Sequence, residues 1–90
     1  MSALQVFTRA LEKATGYSYV AAVTFTPLRM PAYKEFNFVL MQINGEEDKR
    51  KVFKANYRER VTSEEEKAAT IEFLTEKFIA YVLQEMLKTC

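Results

Sequence analysis

Near the start of the chain, apolar residues recur at spacings of three and four, which is the spacing of one face of an α-helix. The stripe consists of Leu4, Phe7, Leu11 and Ala14. Ser2 precedes it as a favourable N-cap, and Gly16 follows it in the position where glycine commonly ends a helix. The pattern predicts an amphipathic first helix that buries one side.

From Tyr17 the pattern changes to an alternation of period two, which is typical of a β-strand. One side carries Tyr17, Tyr19, Ala21, Val23 and Phe25. The β-branched and aromatic content fits a strand, and Pro27 ends it. A loop over residues 28–33 follows, and residues 34–44 and 49–61 are predicted to form the second and third strands.

The hairpin between the second and third strands has two possible registers. A tight turn at residues 44–45 would place Leu40 opposite Lys49, whereas a loop over residues 45–48 places it opposite Phe53. The second register keeps one face of the hairpin apolar throughout. Because a buried face dictates register, we predict the longer loop, although Asn-Gly is a strong tight-turn signal.

A long second helix is predicted from Ser63 to about Lys88. Ser63 and Glu66 have the spacing of a capping box, and an acidic first turn suits the helix dipole. In the first half, the residues predicted to face inward are Ala68, Ile71, Leu74 and Phe78. The second half is apolar on nearly every side over residues 78–83, followed by Met86 and Leu87, so we expect it to be covered on more than one side.

Together these elements predict a single α+β domain over residues 1–90, in the order α-β-β-β-α. Short connections make the strands neighbours in sequence order, so the sheet is a three-stranded antiparallel meander packed against two helices, of which the C-terminal one is long. We expect both helices to lie on one face of the sheet. That face carries Tyr19, Val23, Phe25, Phe36, Phe38, Leu40, Phe53 and Tyr57.

Composition narrows the class of protein further. A hydrophobic content of 49% argues against disorder, and a net charge of +1 gives no overall attraction to nucleic acid or acidic membranes. With Cys90 as the single cysteine, no intramolecular disulfide is possible, which favours a reduced, cytoplasmic protein over one linked through this residue. No signal peptide and no membrane span are expected, since neither pattern occurs in the chain.

The residue types present argue against an enzyme. The chain has no histidine, the commonest acid–base residue, and its one cysteine cannot build a zinc site. The acidic runs at residues 46–48 and 64–66 fit a charged hairpin tip and a helix start. We therefore predict no catalytic residues, no cofactor and no bound metal.

Two surfaces are candidates for binding a macromolecule. If both helices pack on one face of the sheet, the opposite face carries a connected apolar patch, and such patches generally mark interaction sites. The candidate interface residues are Val39, Met41, Ile43 and Val52 on the sheet, with Ile79, Leu83 and Met86 on the final helix. The alternative is that the first helix covers this sheet face and makes it ordinary core.

A cluster of basic residues on the third strand forms the second candidate surface. Lys54, Arg58 and Arg60 alternate onto one face, as a stripe that contacts phosphates would. The alternative is a solvated edge strand, on which lysines discourage pairing with other chains. Glu59 and the acids at 46–48 weaken the stripe and favour the solvated edge.

The order α-β-β-β-α is also that of the double-stranded-RNA-binding domain, which begins its second helix with a basic segment that holds phosphates. Here the corresponding residues 62–67 carry three glutamates and a single lysine. Carboxylates at this place would repel a duplex, so the shared order is analogy only and counts against that function.

The sequence therefore favours a small non-enzymatic protein-interaction module that forms a homodimer and binds another protein. Accessory, regulatory or inhibitor roles fit, including those of compact phage- or mobile-element-encoded proteins. The alternative is a nucleic-acid-binding protein that uses the basic third strand. A carrier of a small apolar ligand, bound between helix and sheet, is a third possibility.

Overall fold

The structure, a computed structural model, describes residues 2–43 and 50–88, and for residues 50 and 51 only the backbone. Its elements are helix α1 (Ala3–Thr15), strands β1 (Ser18–Pro27), β2 (Tyr33–Ile43) and β3 (Arg50–Arg60), and helix α2 (Glu64–Lys88). The three strands form one antiparallel sheet in the order β1-β2-β3. The predicted α+β fold and its meander are confirmed, and element bounds differ from the predicted ones by a residue or two.

Both ends of α1 are fixed by local hydrogen bonds. The Gln5 amide donates to the Ser2 hydroxyl at 3.3 Å, and the Ser2 amide donates to the Gln5 side chain at 3.2 Å. At the other end, Gly16 has a φ of 79° and its amide donates to the Glu12 carbonyl at 2.9 Å. Gly16 thus ends α1 in the left-handed conformation that residues with a Cβ disfavour.

Replacing Gly16 with alanine is expected to lower the free energy of unfolding by about 1 kcal/mol. A Cβ at this position would meet no atom within 4 Å, so the cost is the left-handed backbone itself. Urea unfolding followed by circular dichroism measures it. Gly16→Asn is the control, since asparagine tolerates this conformation better than alanine; equal costs for the two variants would contradict the explanation.

The observed pairing confirms the predicted register of the hairpin. Leu40 lies opposite Phe53 and Phe36 lies opposite Tyr57, as expected if one face of the sheet is buried. The loop over 45–48 that this register implies lies outside the described residues, as do Asn44 and Lys49.

The core lies between this sheet face and both helices, which confirms the expectation that the helices share one face. Its buried apolar residues are Leu4, Leu11, Tyr19, Phe36, Phe38, Leu40, Phe53, Val61, Leu74, Phe78 and Val82. The Phe38 and Phe78 rings, 5.3 Å apart, join β2 to α2. Ala14 and Ala68, which were predicted to face inward, are exposed. Phe25 lies on the core side of the sheet as predicted but is 37% exposed, because it lies at the margin of the core.

The start of α2 departs from the predicted capping box in one detail. The Glu66 amide donates to the Ser63 hydroxyl at 3.1 Å, as predicted, but the Glu66 carboxylate accepts from the amide and the hydroxyl of Thr62. These hydrogen bonds hold the pKa of Glu66 below its ordinary value.

Among the described residues, neither helix is long and apolar enough to cross a membrane.

Candidate functional site

The sheet face that points away from the helices carries the predicted apolar patch. We call it the outer patch; its members are Val20, Ala22, Val39, Met41, Ile43 and Val52. Cross-strand pairing sets Val20, Met41 and Val52 side by side in one row. Val20 is 52% and Val52 44% exposed, so these large apolar side chains meet solvent over about half their surface.

The rest of the outer face is polar. Beyond the row that contains Ala22, Val39 and Lys54, the next row on this face consists of Thr24, Asn37 and Asn56. The Asn37 side chain donates to the Thr26 hydroxyl at 3.3 Å. An apolar area bordered by polar side chains has the composition of a protein interface, in which a polar rim surrounds an apolar centre.

Of the two arrangements that the sequence left open for α1, the structure has the one that leaves the outer patch uncovered. The buried side chains of α1, Leu4 and Leu11, belong to the core on the opposite face of the sheet. Both helices therefore lie on the far side of the sheet from the patch. In the part of the chain that the structure describes, nothing packs on it.

The three interface residues predicted on α2 have different surroundings. Leu83 is 45% exposed, whereas Ile79 is half-buried and Met86 packs against the core. Leu87, one residue further on, is 76% exposed. The free apolar surface of α2 is therefore narrower than predicted, and it lies on the side of the domain opposite to the outer patch.

The predicted basic stripe is exposed on the outer face of β3. Lys54 lies in the row of Ala22 and Val39, within the outer patch, and Arg58 lies opposite Glu35. The positive charges are thus interrupted by apolar and acidic neighbours. This arrangement favours a solvated edge strand over a continuous track for phosphates. The side chains of residues 49–51, also basic, lie outside the described part.

Sequence reasoning did not single out the free edge of β1. The Tyr19 amide donates to the Glu12 carboxylate at 3.1 Å and so points away from β2. The Leu28 amide, by contrast, donates to the Tyr33 carbonyl, which continues the pairing with β2. Since amide directions alternate along an antiparallel strand, odd-numbered residues of β1 face its free edge and even-numbered ones face β2. One signal was present in the sequence: residues 18–27 carry no charge.

A shallow depression of about 260 Å³ lies between the N-terminus of α1 and the first half of α2. Its lining residues are Ser2, Ala3, Ala68, Ile71, Glu72 and Thr75. The volume is below the range of about 300–1,000 Å³ that is usual for sites that enclose small ligands. This depression lies between the two helices, and not between helix and sheet as the carrier hypothesis expects. No group of metal-ligating side chains occurs within residues 2–43 and 50–88.

The outer patch and the free edge of β1 are therefore the two surfaces whose chemistry suits a macromolecular partner. Comparison of the chain with protein-family models, with curated proteins and with solved structures gives no match.

Proposed function

We propose that this chain is a non-enzymatic protein-interaction module that acts as a homodimer and binds another protein through the outer patch. The uncovered sheet face is the observation that carries the proposal. Apolar side chains lie in two neighbouring rows next to polar residues, and Val20 and Val52 among them are about half exposed, so a protein partner would remove apolar surface from water here.

The central position of Met41 makes it the best candidate for an anchor. It lies on the middle strand, between Val20 and Val52, and is itself half-buried. Residues near the centre of an interface, where solvent is excluded, carry most of the binding energy. Methionine also adapts its shape to an irregular partner surface.

The chemistry of the patch favours protein over nucleic acid as the partner. Its exposed members are aliphatic, and no aromatic side chain lies among them to stack on a base. Lys54 is the one basic residue in its two central rows. A phosphate backbone requires a denser array of positive charge.

We expect a photoreactive amino acid at Val52 to cross-link a protein other than this chain in a lysate of the native cells. Excess unlabelled wild-type protein should compete for the adduct, and Met41→Glu should compete at least about 30-fold less well, which is the loss expected at a central interface residue. Mass spectrometry of the adduct identifies the partner.

The same label at Glu76, which is exposed on α2, is the positional control. An adduct that forms equally at Glu76, or that Met41→Glu displaces as well as the wild type does, would contradict the proposal. A cross-link to nucleic acid would favour the basic-strand alternative. A cross-link to a second copy would make the outer patch the dimer seam.

A further inference from the structure

Within the described residues, the free edge of β1 presents a row of backbone hydrogen-bonding groups that no other strand pairs with. Because odd-numbered residues face this edge, Ala21, Val23 and Phe25 direct their amides and carbonyls away from β2. Edges of this kind pair with other strands unless charge, proline or a bulge prevents it.

In the part of the chain that the structure describes, the β1 edge is protected at its two ends only. At one end the Glu12 carboxylate accepts the outward amide of Tyr19, and at the other Pro27 has no amide. Between these ends the strand pairs with β2 at consecutive positions without a bulge and carries no charged side chain. Ala22 and Thr24, which alternate with the outward-facing residues of this segment, are exposed, and their side chains are small enough to let a second strand approach.

The other edge of the sheet carries positive charge at three of its outward positions. Even-numbered residues of β3 face outward, since its odd-numbered residues pair with β2. Lys54, Arg58 and Arg60 are among those outward positions, and all are exposed. A second copy approaching this edge would bring like charges together.

We propose that β1 pairs antiparallel with β1 of a second copy, so that the two sheets join into one continuous sheet across a twofold axis at Val23. This inference rests on the homodimer of the proposed function and assigns its seam. A twofold interface requires a surface that is complementary to itself, and an antiparallel strand pair is self-complementary about its centre.

The register centred on Val23 fits the strand's own chemistry. Ala21 then lies opposite Phe25 of the second copy, and each copy donates three amides and accepts three. Tyr19, whose amide is already satisfied, lies opposite Pro27 of the second copy, which has none to give. Tyr19 and Pro27, neither of which can donate an amide hydrogen bond across the seam, thus lie opposite each other.

Side chains on the helix-bearing face support the same seam. Phe25 is 37% exposed, although it lies on the core side of the sheet and its ring contacts Phe36. Pairing would set this ring beside Ala21 of the second copy and remove apolar surface from water. The outer patches of the two copies would then lie side by side and double the surface offered to the partner.

The first test is amide hydrogen exchange measured by nuclear magnetic resonance on the wild-type chain. The outward amides of Ala21, Val23 and Phe25 should exchange at least about tenfold more slowly than the outward amides of Asn56 and Arg58 on β3. Dilution below the dimer dissociation constant should abolish this difference. Fast exchange of the β1 amides in a concentrated sample would overturn the proposal.

The second test places like charges across the seam with the double substitution Ala22→Lys and Thr24→Lys. In the Val23-centred register these positions face each other across the axis, so the dimer dissociation constant should rise about tenfold or more in light scattering. The matched control places two lysines in the same two rows on the other edge strand, β3. Lys54 already lies in the row of Ala22, and Asn56 lies in the row of Thr24, so the single substitution Asn56→Lys is sufficient.

The outcomes separate this inference from the proposed function. A dimer that survives the double substitution but dissociates with Met41→Glu would place the seam on the outer patch, and a wild-type monomer at all concentrations would overturn the seam outright. Loss of the dimer in the double variant but not in Asn56→Lys would support the seam. A wild-type chain that is monomeric and still gives the Val52 cross-link would overturn the seam and leave the partner at the outer patch. If the double variant fails to fold, the exchange experiment on the wild type decides.

Discussion

Phe78→Ala is expected to lower the free energy of unfolding by about 3–5 kcal/mol. The side chain is fully buried, and its ring lies 5.3 Å from Phe38 and 6.4 Å from Tyr81. Truncation would leave a cavity between α2 and the sheet that neighbouring aromatic rings cannot fill without moving. For a chain of 90 residues, whose total stability is about 5–13 kcal/mol, this is a large fraction.

Urea unfolding followed by circular dichroism measures this loss. We expect the midpoint to fall by about 1 M or more. Phe73→Ala is the matched control, since Phe73 is on the same helix but is 54% exposed, with Lys77 over its ring at a distance of 5.1 Å. Its truncation should cost less than about 1 kcal/mol. Equal losses for the two variants would contradict the orientation of α2.

The contrast between these phenylalanines shows what the sequence could and could not predict about α2. Its start follows from capping and is confirmed, since Ser63 caps a helix that begins at Glu64, and the chain is helical as far as Lys88, the last described residue. Its apolar second half predicted cover on more than one side. In the described part of the chain, this half of α2 is covered on one side only, since Leu83 and Leu87 remain exposed.

The sheet was predictable in register because burial of one face dictates it. Leu40 and Phe53 can both be buried only if they lie opposite each other, and they do. The sequence favoured the same face for both helices but left the other face open for the first helix, because α1 offers a single apolar stripe that either face could accept. Tertiary packing of Leu4 and Leu11 decides it and leaves the outer patch free.

The sequence predicted the outer patch but not the free edge of β1, for a related physical reason. Side-chain patterns in the sequence pointed to Met41 and its neighbours, and the structure brings them together. The β1 edge is a property of backbone direction. The strand order leaves this edge without a partner strand among the described residues, and the hydrogen bonds of the Tyr19 and Leu28 amides show which residues face it.

Leu40→Glu is expected to remove a large part of the free energy of unfolding, whereas Met41→Glu, one residue further along β2, is expected to leave it nearly unchanged. Leu40 is fully buried against the helices, so a carboxylate there must be either desolvated or protonated, at a cost above about 4 kcal/mol. Met41 points to the other face, where a carboxylate can reach solvent. Far-ultraviolet circular dichroism and thermal unfolding of the two variants measure the difference.

This pair of variants also tests the premise of both proposals. If the outer face is free in the folded chain, Met41→Glu should unfold within a few degrees of the wild type. An unfolded Met41→Glu would mean that the outer patch is structural core in solution, covered by a second copy without which the chain does not fold. In that case neither a partner at the patch nor a seam at β1 would stand, because the patch would be the dimer interface itself.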